Sequence, residues 1–388
     1  MSDNASTDER VATVTPDALL ERIDGGEDVF VLDVRSEDAF EQWHIDRADV
    51  VNRPYFELLD GIPSDLREEL PADRRITVLC AKGGSSEMVA RTLGDAGFDA
   101  EHLEGGMNRW ARLYEYSELD VDGDATVAQY RRPATGCLAY LVASAGEAAV
   151  IDPLRAFTDE YVRDARALGA DLRYALDTHV HADHVSGVRD LAAETGATPV
   201  LPAPAAERGV DYDVDYATVA DGESLAVGDV DVDVLHTPGH TTGMTAYRVG
   251  DVLFTGDGLF TESVARPDLE DPEAARAAAR TLHGSLRRVL SLPDETVVAP
   301  AHFSDAATPN DDGTYTAALG SLRERMDALS MDEDAFVEFV VSGMPPRPAN
   351  YEEIIATNLG LQSPDDERAF ELELGPNNCA ASEEALTN

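Results

Sequence analysis

The stretch Thr178-His179-Val180-His181-Ala182-Asp183-His184 decides how the larger part of this 388-residue chain is expected to fold. It places three histidines and one carboxylate within six positions, although the whole chain has only nine histidines. The His-x-His spacing puts His179 and His181 on the same side of an extended segment. Imidazole and carboxylate groups at this density are ligands for one metal ion or for two adjacent ions. The stretch therefore predicts a metal centre and not a polar surface loop.

Further groups that could bind a metal follow strand-like runs later in the chain. The first stretch itself comes after the apolar run 172–177 and leads into a helical pattern over 185–193. His240, Asp257 and His302 then occur in loops after later runs of apolar residues. Each of these three is weak evidence alone, because a histidine after a turn is more often a surface residue. Their order behind the first stretch is the stronger signal.

The charge of the chain excludes two classes of partner. The sequence has 30 basic and 76 acidic side chains, a formal net charge of −46, which would repel nucleic acid and anionic membrane surfaces. We expect neither as a partner. Lys82 is the only lysine, and all other basic residues are arginines. A soluble protein of this kind is typical of a halophilic habitat, where salt screens the charge.

The cysteines and the N-terminal sequence indicate a compartment. Cys80, Cys137 and Cys379 are odd in number and widely spaced, which argues against a disulfide framework. The first ten residues lack the order of a signal peptide, and no apolar run is long enough to span a bilayer. We expect a cytoplasmic protein. Cys137 is interpreted as a core residue at the start of a strand, and Cys379 as part of a mobile acidic tail outside either site.

A second candidate site lies near Cys80. Strand-like runs at 29–35 and 76–80 alternate with helical patterns, which predicts a small parallel α/β domain. Cys80 ends one of these strands, and the glycine-containing loop 81–86 leads into a helix. Backbone N–H groups at a helix N-terminus favour a thiolate, and Lys82 adds a positive charge two residues away. The alternative, a merely buried cysteine, is less favoured because the only lysine stands beside it.

The N-terminal part resembles a rhodanese domain over residues 15–110. The motifs that carry the resemblance are Leu32-Asp33-Val34-Arg35, Trp43-His44-Ile45-Asp46-Arg47-Ala48, Cys80-Ala81-Lys82-Gly83-Gly84-Ser85-Ser86 and Leu103-Glu104-Gly105-Gly106-Met107-Asn108-Arg109-Trp110. The resemblance implies that Cys80 accepts a sulfane sulfur as a persulfide and that Lys82 contacts an anionic donor such as thiosulfate. It also implies a set of residues that support the loop: Asp33, Arg35, Gly83 and Ser86. Trp43 stands where the family usually has glycine.

The remainder of the chain resembles the metallo-β-lactamase superfamily in the order of its metal-competent residues. The resemblance implies two β-sheets between helices, with the metal site at one edge. The expected architecture is therefore α/β, with an N-terminal rhodanese-like parallel-sheet domain followed by an αββα metallo-β-lactamase-fold domain. The boundaries predicted from composition are a first domain over 1–115, an acidic linker over 116–126, the second domain with C-terminal helices over 127–362 and an acidic tail over 363–388.

Two metal chemistries of this superfamily compete. A hydrolase of the glyoxalase II type would bind two zinc ions and attack a thioester with a metal-bound hydroxide. Its first metal would take His179, His181 and His240, its second Asp183, His184 and His302, and Asp257 would bridge them. A persulfide dioxygenase of the ethylmalonic-encephalopathy type would instead hold one Fe(II) per chain, through His179, His240 and Asp257. The remaining candidates, His181, Asp183, His184 and His302, would then orient the ligands.

Further motifs resemble those of the dioxygenase branch and therefore favour it. They are the segments 136–141, 254–260, 265–269 and 344–351, with Asn358-Leu359-Gly360 behind them. Arg266 in the third segment either contacts an anionic thiol substrate or belongs to a structural ion pair. The sequence thus predicts a bifunctional enzyme acting on a thiol persulfide, dioxygen, and thiosulfate or sulfite. A regulatory protein that only docks partners is the third alternative, against which Cys80 and Lys82 argue. The amphipathic segments 314–329 and 332–341 fit intramolecular packing and a homodimer contact equally well.

Overall fold

The computed structural model describes residues 11–45, 47–121, 123–304, 306–342 and 344–381. The chain divides into two compact units, Met1–Leu113 and Tyr114–Asn388. Among the described residues no helix has the length and apolar character needed to cross a membrane. Each unit has its own sheets and its own core, in agreement with the two domains predicted from the sequence.

The first unit is a five-stranded sheet in the order β1-β5-β4-β2-β3, and every neighbouring pair is parallel. Its strands are β1 Ala12–Val14, β2 Phe30–Asp33, β3 Asp49–Asn52, β4 Ile76–Leu79 and β5 Ala100–Leu103. Its helices are α1 Pro16–Asp24, α2 Glu37–Gln42, α3 Ser64–Glu69, α4 Gly84–Asp95 and α5 Gly106–Trp110. The helix α1 begins at Pro16, because the Thr15 hydroxyl accepts a hydrogen bond from the amide of Ala18 and Pro16 occupies the first turn.

The second unit contains two sheets. The first has the order β12-β11-β10-β9-β8-β7-β6 and the second the order β13-β14-β15-β16-β17-β18. The strands are β6 Glu115–Leu119, β7 Thr126–Arg132, β8 Cys137–Ser144, β9 Glu147–Ile151, β10 Asp171–Leu176, β11 Thr198–Pro202, β12 Ala217–Val219, β13 Ser224–Val227, β14 Val230–His236, β15 Thr245–Val249, β16 Val252–Gly256, β17 Val297–Pro300 and β18 Ala317–Ala318. The helices are α6 Thr158–Ala167, α7 Val188–Thr195, α8 Ala203–Ala206, α9 Ala275–Val289, α10 Leu319–Arg325, α11 Glu333–Ser342, α12 Tyr351–Asn358 and α13 Asp366–Leu372.

The two sheets pack face to face between layers of helices. All eight residues of β8 are buried, because alternate side chains point to opposite faces of the strand and both faces are covered. Tyr140 and Val142 join the core between the sheets, where they meet Phe254 of the second sheet. Ala139 and Leu141 face the helical layer instead. The predicted αββα architecture is therefore confirmed.

The structure corrects the acidic linker that the sequence predicted over 116–126. Residues 115–119 form β6, which pairs antiparallel with β7, and the first unit ends at Leu113. Along β6 the residues alternate between exposed and partly buried positions. The exposed positions are Tyr116 and Glu118, and the partly buried positions Glu115 and Ser117 are polar. The strand therefore lacks the apolar alternation that marks a half-buried strand, which is why it was mistaken for a linker. Asp122 lies outside the described residues.

The structure also corrects the mobile acidic tail predicted over 363–388. This segment contains α13, whose Phe370 and Leu372 are buried, and continues to Cys379, which is fully buried. Glu373 forms a buried ion pair with Arg132. The apolar residues of the tail are few and scattered, so its composition hid a docked helix. Residues 382–388 of the predicted tail lie outside the described residues.

Candidate functional site

The Cys80 loop of the first unit has the geometry of an anion cradle. Cys80 follows the last residue of β4, and its Sγ lies 3.1 Å from the amide nitrogen of Gly83 and 3.4 Å from the Ser86 hydroxyl. In the thiol form Cys80 donates to the Ser86 hydroxyl, which donates to the carbonyl of Gly83 at 3.1 Å; when the thiol ionises, the hydroxyl can turn its proton to the thiolate. The structure therefore brings Cys80, Gly83 and Ser86 together, as the resemblance implied.

The cradle favours the thiolate of Cys80. Burial of the side chain opposes ionisation, but hydrogen bonds from the Ser86 hydroxyl and from the loop amides outweigh it, so the pKa of the Cys80 thiol is lowered from its ordinary value. The neighbouring Lys82 is exposed. Its charge is therefore available at the outer surface of the loop.

The segment that begins at Gly105 and Gly106 packs against the backbone of this loop. The amide of Met107 donates a hydrogen bond to the Cys80 carbonyl at 2.9 Å, and that of Asn108 to the Ala81 carbonyl at 3.0 Å. Gly106 has φ +59°, and a Cβ on it would lie 2.0 Å from the Cys80 carbonyl oxygen. Only glycine permits this approach. The sequence contained the signal in the motif Gly105-Gly106, but did not indicate that it supports Cys80.

Asp33 and Arg35 act at the end of β2, next to the strand that carries Cys80. Asp33 accepts hydrogen bonds from the backbone amide and the guanidinium of Arg35, and the same guanidinium donates to the carbonyl of Trp43 at 2.6 Å. Asp33 pairs in register with Leu79, the residue before Cys80. Asp33 therefore lies on the strand beside the one that leads into the Cys80 loop.

In the second unit, loops that follow four strands converge on one buried centre. The histidine-rich stretch follows β10, His240 lies beyond β14, Asp257 directly follows β16 and His302 lies beyond β17. Side chains from these loops are buried. The tertiary structure thus gathers residues that the sequence spreads over more than a hundred positions.

Three predicted ligands form one group, consisting of His179, His240 and Asp257. The Asp257 Oδ2 lies 3.5 Å from the Nε2 of His179 and 3.5 Å from the Nε2 of His240. The Nδ1 of His240 is hydrogen bonded to the carbonyl of Arg266 at 2.9 Å, and that of His179 lies 3.0 Å from the Thr178 hydroxyl. These contacts place the proton on Nδ1 and direct the lone pair of each Nε2 toward Asp257.

His302 connects this group to a second one. Its Nδ1 lies 2.5 Å from Asp257 Oδ1 and its Nε2 lies 2.6 Å from Asp183 Oδ2. Burial works against a charge on the ring, but the two carboxylates raise the pKa of His302 well above its ordinary value. The His184 Nδ1 lies 3.2 Å from the same Asp183 oxygen, and the Cys137 Sγ lies 3.4 Å from it. Cys137 starts β8, as interpreted, but its thiol belongs to this polar group.

His181 belongs to neither group, because its ring is hydrogen bonded to a different carboxylate, that of Asp152. Its Nε2 lies 3.0 Å from Asp152 Oδ1, and Asp152 also accepts hydrogen bonds from the amide and hydroxyl of Thr178. Burial raises the pKa of the neighbouring Asp177 to about 6. Asp152 and Asp177 were not singled out from the sequence. Asp152 contacts Thr178 and His181, and Asp177 accepts a hydrogen bond from the Ser186 hydroxyl, so both carboxylates help to orient the metal stretch.

Several buried polar atoms of this centre have no hydrogen-bond partner among the described residues. They are His179 Nε2, His181 Nδ1, Asp183 Oδ1, His184 Nε2 and Asp257 Oδ2. Unpaired buried polar atoms are costly, and all five are of the chemical types that bind metal ions. Burial lowers the pKa of His179 to about 4, so its imidazole is neutral and able to bind a metal at neutral pH. The donor set therefore fits a metal.

Arg266 is a structural residue. Its guanidinium is buried and pairs with Asp268, with nitrogen–oxygen distances of 2.7 Å and 3.1 Å, and it also donates to the carbonyls of Pro346 and Asn378. Of the two interpretations, the structural ion pair is therefore the one that the structure shows. The contact of Arg266 with the metal centre is made by its backbone carbonyl, which accepts a hydrogen bond from the His240 ring.

The sequence missed the role of Asn358 in shaping the metal stretch. Its Oδ1 accepts a hydrogen bond from the amide of Ser186 at 2.9 Å, and its Nδ2 donates to the carbonyls of His181 and His184 at 3.0 Å and 2.8 Å. The helix expected from residue 185 begins only at Val188. The intervening backbone therefore takes its hydrogen bonds from a residue more than 170 positions away.

Glu373 makes a similar connection from the C-terminal segment. Its Oε1 accepts a hydrogen bond from the amide of Val185 at 2.9 Å, and its Oε2 pairs with Arg132 at 2.5 Å. Arg132 is fully buried and lies over the rings of Phe157 and Phe370. Cys379, from the same segment, has its Sγ within 4.8 Å of potential ligand atoms of Asp183, Asp257 and His302. The C-terminal segment is thus part of the metal site, contrary to the sequence-based expectation for Cys379.

Comparison with known proteins matches both units. The profile of the metallo-beta-lactamase superfamily matches residues 132–302, and that of the rhodanese-like domain matches residues 15–113. A hydroxyacylglutathione hydrolase of Rhodospirillum rubrum is 31% identical over 231 residues, covering 58% of this chain and 82% of the relative. One from Methylococcus capsulatus is 34% identical over 202 residues, covering 51% and 74%.

Two solved structures resemble the chain over about the same length. The structure of a metallo-beta-lactamase from Staphylococcus aureus has a TM-score of 0.56 at 26% identity and covers 61% of this chain and 73% of its own. The structure of ETHE1 from Myxococcus xanthus has a TM-score of 0.52 at 27% identity and covers 60% of this chain and 98% of its own. Hydrolase and ETHE1 relatives therefore both match the chain.

Proposed function

We propose that this chain, which belongs to the metallo-β-lactamase superfamily and carries a rhodanese-like domain before that fold, is a bifunctional enzyme of sulfur metabolism. One activity is the iron-dependent oxidation of a low-molecular-weight thiol persulfide by dioxygen. The other is the transfer of sulfane sulfur through a persulfide on Cys80. The similarity to ETHE1 of Myxococcus xanthus over nearly the whole of that protein supports the first activity.

The observation that carries the proposal is the position of His302 between two carboxylates. In a two-metal site Asp257 would offer one oxygen to each ion. Here its Oδ1 is hydrogen bonded to His302, and only Oδ2 faces His179 and His240. This arrangement favours a single ion with two imidazoles and one carboxylate oxygen. That ligand set is typical of non-haem Fe(II) oxygenases and leaves open positions for substrates.

The residues around the ligands would prepare this site. The contacts of Thr178 and the Arg266 carbonyl hold the two ligand imidazoles with Nε2 toward the ion. His302 keeps the second oxygen of Asp257 occupied. A bound iron would supply the chemistry by which dioxygen reacts with the terminal sulfur of the persulfide. In the overall reaction a persulfide, dioxygen and water yield the free thiol, sulfite and two protons.

The Cys80 thiolate would handle the same sulfur in the first unit. It attacks the outer sulfur of thiosulfate, forming a Cys80 persulfide and releasing sulfite, and a thiol then takes up the sulfur as a new persulfide. In the opposite direction sulfite takes sulfur from Cys80 to form thiosulfate. Sulfite is a product of the proposed oxidation, so the two activities share intermediates. Joining them in one chain raises the effective concentration of each product at the other site.

A second function is supported by different observations. A zinc-dependent thioester hydrolase would bind a second ion through Asp183, His184 and His302. The Asp183 Oδ1 and His184 Nε2 have no partner among the described residues, which suits such a role. Relatives named hydroxyacylglutathione hydrolase also favour it. In that case the His302 ring would have to give up its hydrogen bonds to both carboxylates.

Metal analysis together with oxygen consumption separates the two functions. The full chain would be purified without added metal, its metal content measured, and oxygen uptake followed with a thiol persulfide as substrate. One iron per chain and persulfide-dependent oxygen uptake are expected. Two zinc ions per chain, thioester hydrolysis and no oxygen uptake would reject the dioxygenase in favour of the hydrolase.

A further inference from the structure

A small cavity lies between the second sheet and α9, behind two of the loops that carry metal ligands. Leu282, Leu286 and Val289 of α9 close it on one side, and Ala246 of β15 on the other. The cavity has a volume of about 10 Å³, enough for one small molecule. All of these lining residues are buried.

The wall of this cavity is made of carbon atoms. Three hydroxyl-bearing residues line it, but no polar atom is exposed to the cavity. The Thr255 hydroxyl donates to the Leu259 carbonyl at 2.6 Å and that of Ser285 to the Pro238 carbonyl at 2.6 Å, and of the three only the Thr237 hydroxyl has no partner among the described residues. A buried water typically needs two to four hydrogen-bond partners, and apolar cavities without them stay dry and accept apolar guests such as xenon. The cavity therefore suits an apolar molecule better than water.

The cavity adjoins the ligand loops directly. Gly258, which follows Asp257, and Thr237, three residues before His240, both contribute to its lining. The loop before His240 rests on α9 so closely that a Cβ on Gly239 would lie 2.4 Å from the Leu282 Cα. On the side of the ligand loops the lining consists of small residues, Thr237 and Gly258. A molecule in the cavity would thus be only the thickness of a loop away from Asp257 and His240.

We propose that this cavity is a binding site for a small apolar gas and that its guest in the working enzyme is dioxygen. The identity of the guest rests on the proposed persulfide oxidation, whereas the affinity for an apolar gas rests on the cavity alone. Dioxygen partitions from water into apolar surroundings, so the cavity would hold the co-substrate beside the ligand loops. The thiol persulfide, which is polar and larger, could not enter it.

Xenon and a narrowed cavity test the proposal in the full-length holoprotein. Xenon-pressurised crystals of the wild type are expected to show xenon between Ala246 and Leu282. Ala246→Val adds two methyl groups to the wall, and Val289→Ile is a second filling variant in case the first does not fold. Both should lose the xenon site. Both should also raise the KM for dioxygen several-fold, with the KM for the persulfide and the iron content unchanged.

Ala277→Val, on the exposed side of α9, is the matched control and should alter neither xenon binding nor the KM for dioxygen. An ordered water in the wild-type cavity under xenon, or an unchanged KM for dioxygen in a variant that has lost xenon, would overturn the proposal. Wild-type protein that binds xenon but consumes no dioxygen with any persulfide would reject the proposed function and the assigned guest, while leaving the gas site itself established.

Discussion

His302 lies between Asp183 and Asp257 and is hydrogen bonded to both, with its Nε2 2.6 Å from one carboxylate and its Nδ1 2.5 Å from the other. In the proposed enzyme this ring limits how many carboxylate oxygens remain for metal ions. Removing it would free one oxygen of each carboxylate at the same time. The number of metal ions bound by the chain should therefore depend on a residue that, in the proposed enzyme, binds none.

His302→Ala tests this dependence. Without the imidazole, the two buried carboxylates repel each other and attract a second cation. We expect the variant to bind more than one divalent ion per chain when zinc is supplied, whereas the wild type purified without added metal binds one iron. Metal stoichiometry by mass spectrometry of the elements measures the difference. Equal stoichiometry in both proteins would show that His302 does not limit metal binding.

Cys80→Ser separates the two proposed activities. Serine lacks a nucleophilic sulfur that can form a persulfide, so thiosulfate-dependent sulfur transfer to a thiol should be lost. Oxygen uptake on a supplied persulfide should stay near the wild-type rate, because Cys80 belongs to a different unit from the metal ligands. Both rates are measured on the same preparation. Loss of both would mean that the oxidation requires the Cys80 persulfide.

Ser86→Ala tests the stabilisation of the Cys80 thiolate. Hydrogen bonding to the thiolate lowers its pKa, so removing the Ser86 hydroxyl should raise the pKa of Cys80. Less thiolate is then present at neutral pH, and alkylation should slow several-fold there but approach the wild-type rate in alkaline solution. The pH profile of iodoacetamide alkylation measures this shift. Ser85→Ala, in the same loop, is the control, and an identical profile for all three proteins contradicts the assignment.

Asn358→Ala should loosen the metal stretch. The variant loses three hydrogen bonds to the backbone of residues 181–186. Residues that orient metal ligands typically change metal affinity by about 10- to 100-fold when removed. Competition with a chelator measures this affinity. Asn350→Gly is the control, because it removes an amide hydrogen bond to Leu372 in the same C-terminal part, and its φ of +58° suits glycine. Equal loss in both variants would indicate a general effect on folding.

Glu373→Gln should destabilise the second unit. It leaves the Arg132 guanidinium buried without its counter-charge, and breaking a buried ion pair from one side typically costs about 3–5 kcal/mol. Glu353→Gln, which breaks an exposed pair with Arg368, should change the free energy of unfolding by less than about 1 kcal/mol. Denaturant unfolding compares the two. Arg132→Met combined with Glu373→Leu should recover much of the lost stability. If Glu373→Gln and Glu353→Gln change the free energy of unfolding by the same amount, the stabilising role of the buried pair is contradicted.

Local sequence patterns were sufficient for most of the fold. The alternation of strands and helices predicted the parallel sheet of the first unit, and the buried run of β4 led correctly to the loop of Cys80. The prediction failed for elements whose apolar residues do not recur at the spacing of a strand or a helix. The strand β6 has polar residues at two of its three inward positions, and α13 lies in a segment whose composition resembles a disordered tail.

The sequence by itself determined which chemical groups the chain offers, namely imidazoles and carboxylates at strand ends and one cysteine in a glycine-containing loop. Only the tertiary structure decided which of those groups contact one another. His302 meets Asp183 and Asp257 across 119 and 45 positions, and Asn358 reaches His181 across 177. Contacts of this range depend on how the two sheets and the C-terminal segment pack. Propensity and periodicity report only on neighbours along the chain, so they cannot assign a ring nitrogen to a metal or to a carboxylate.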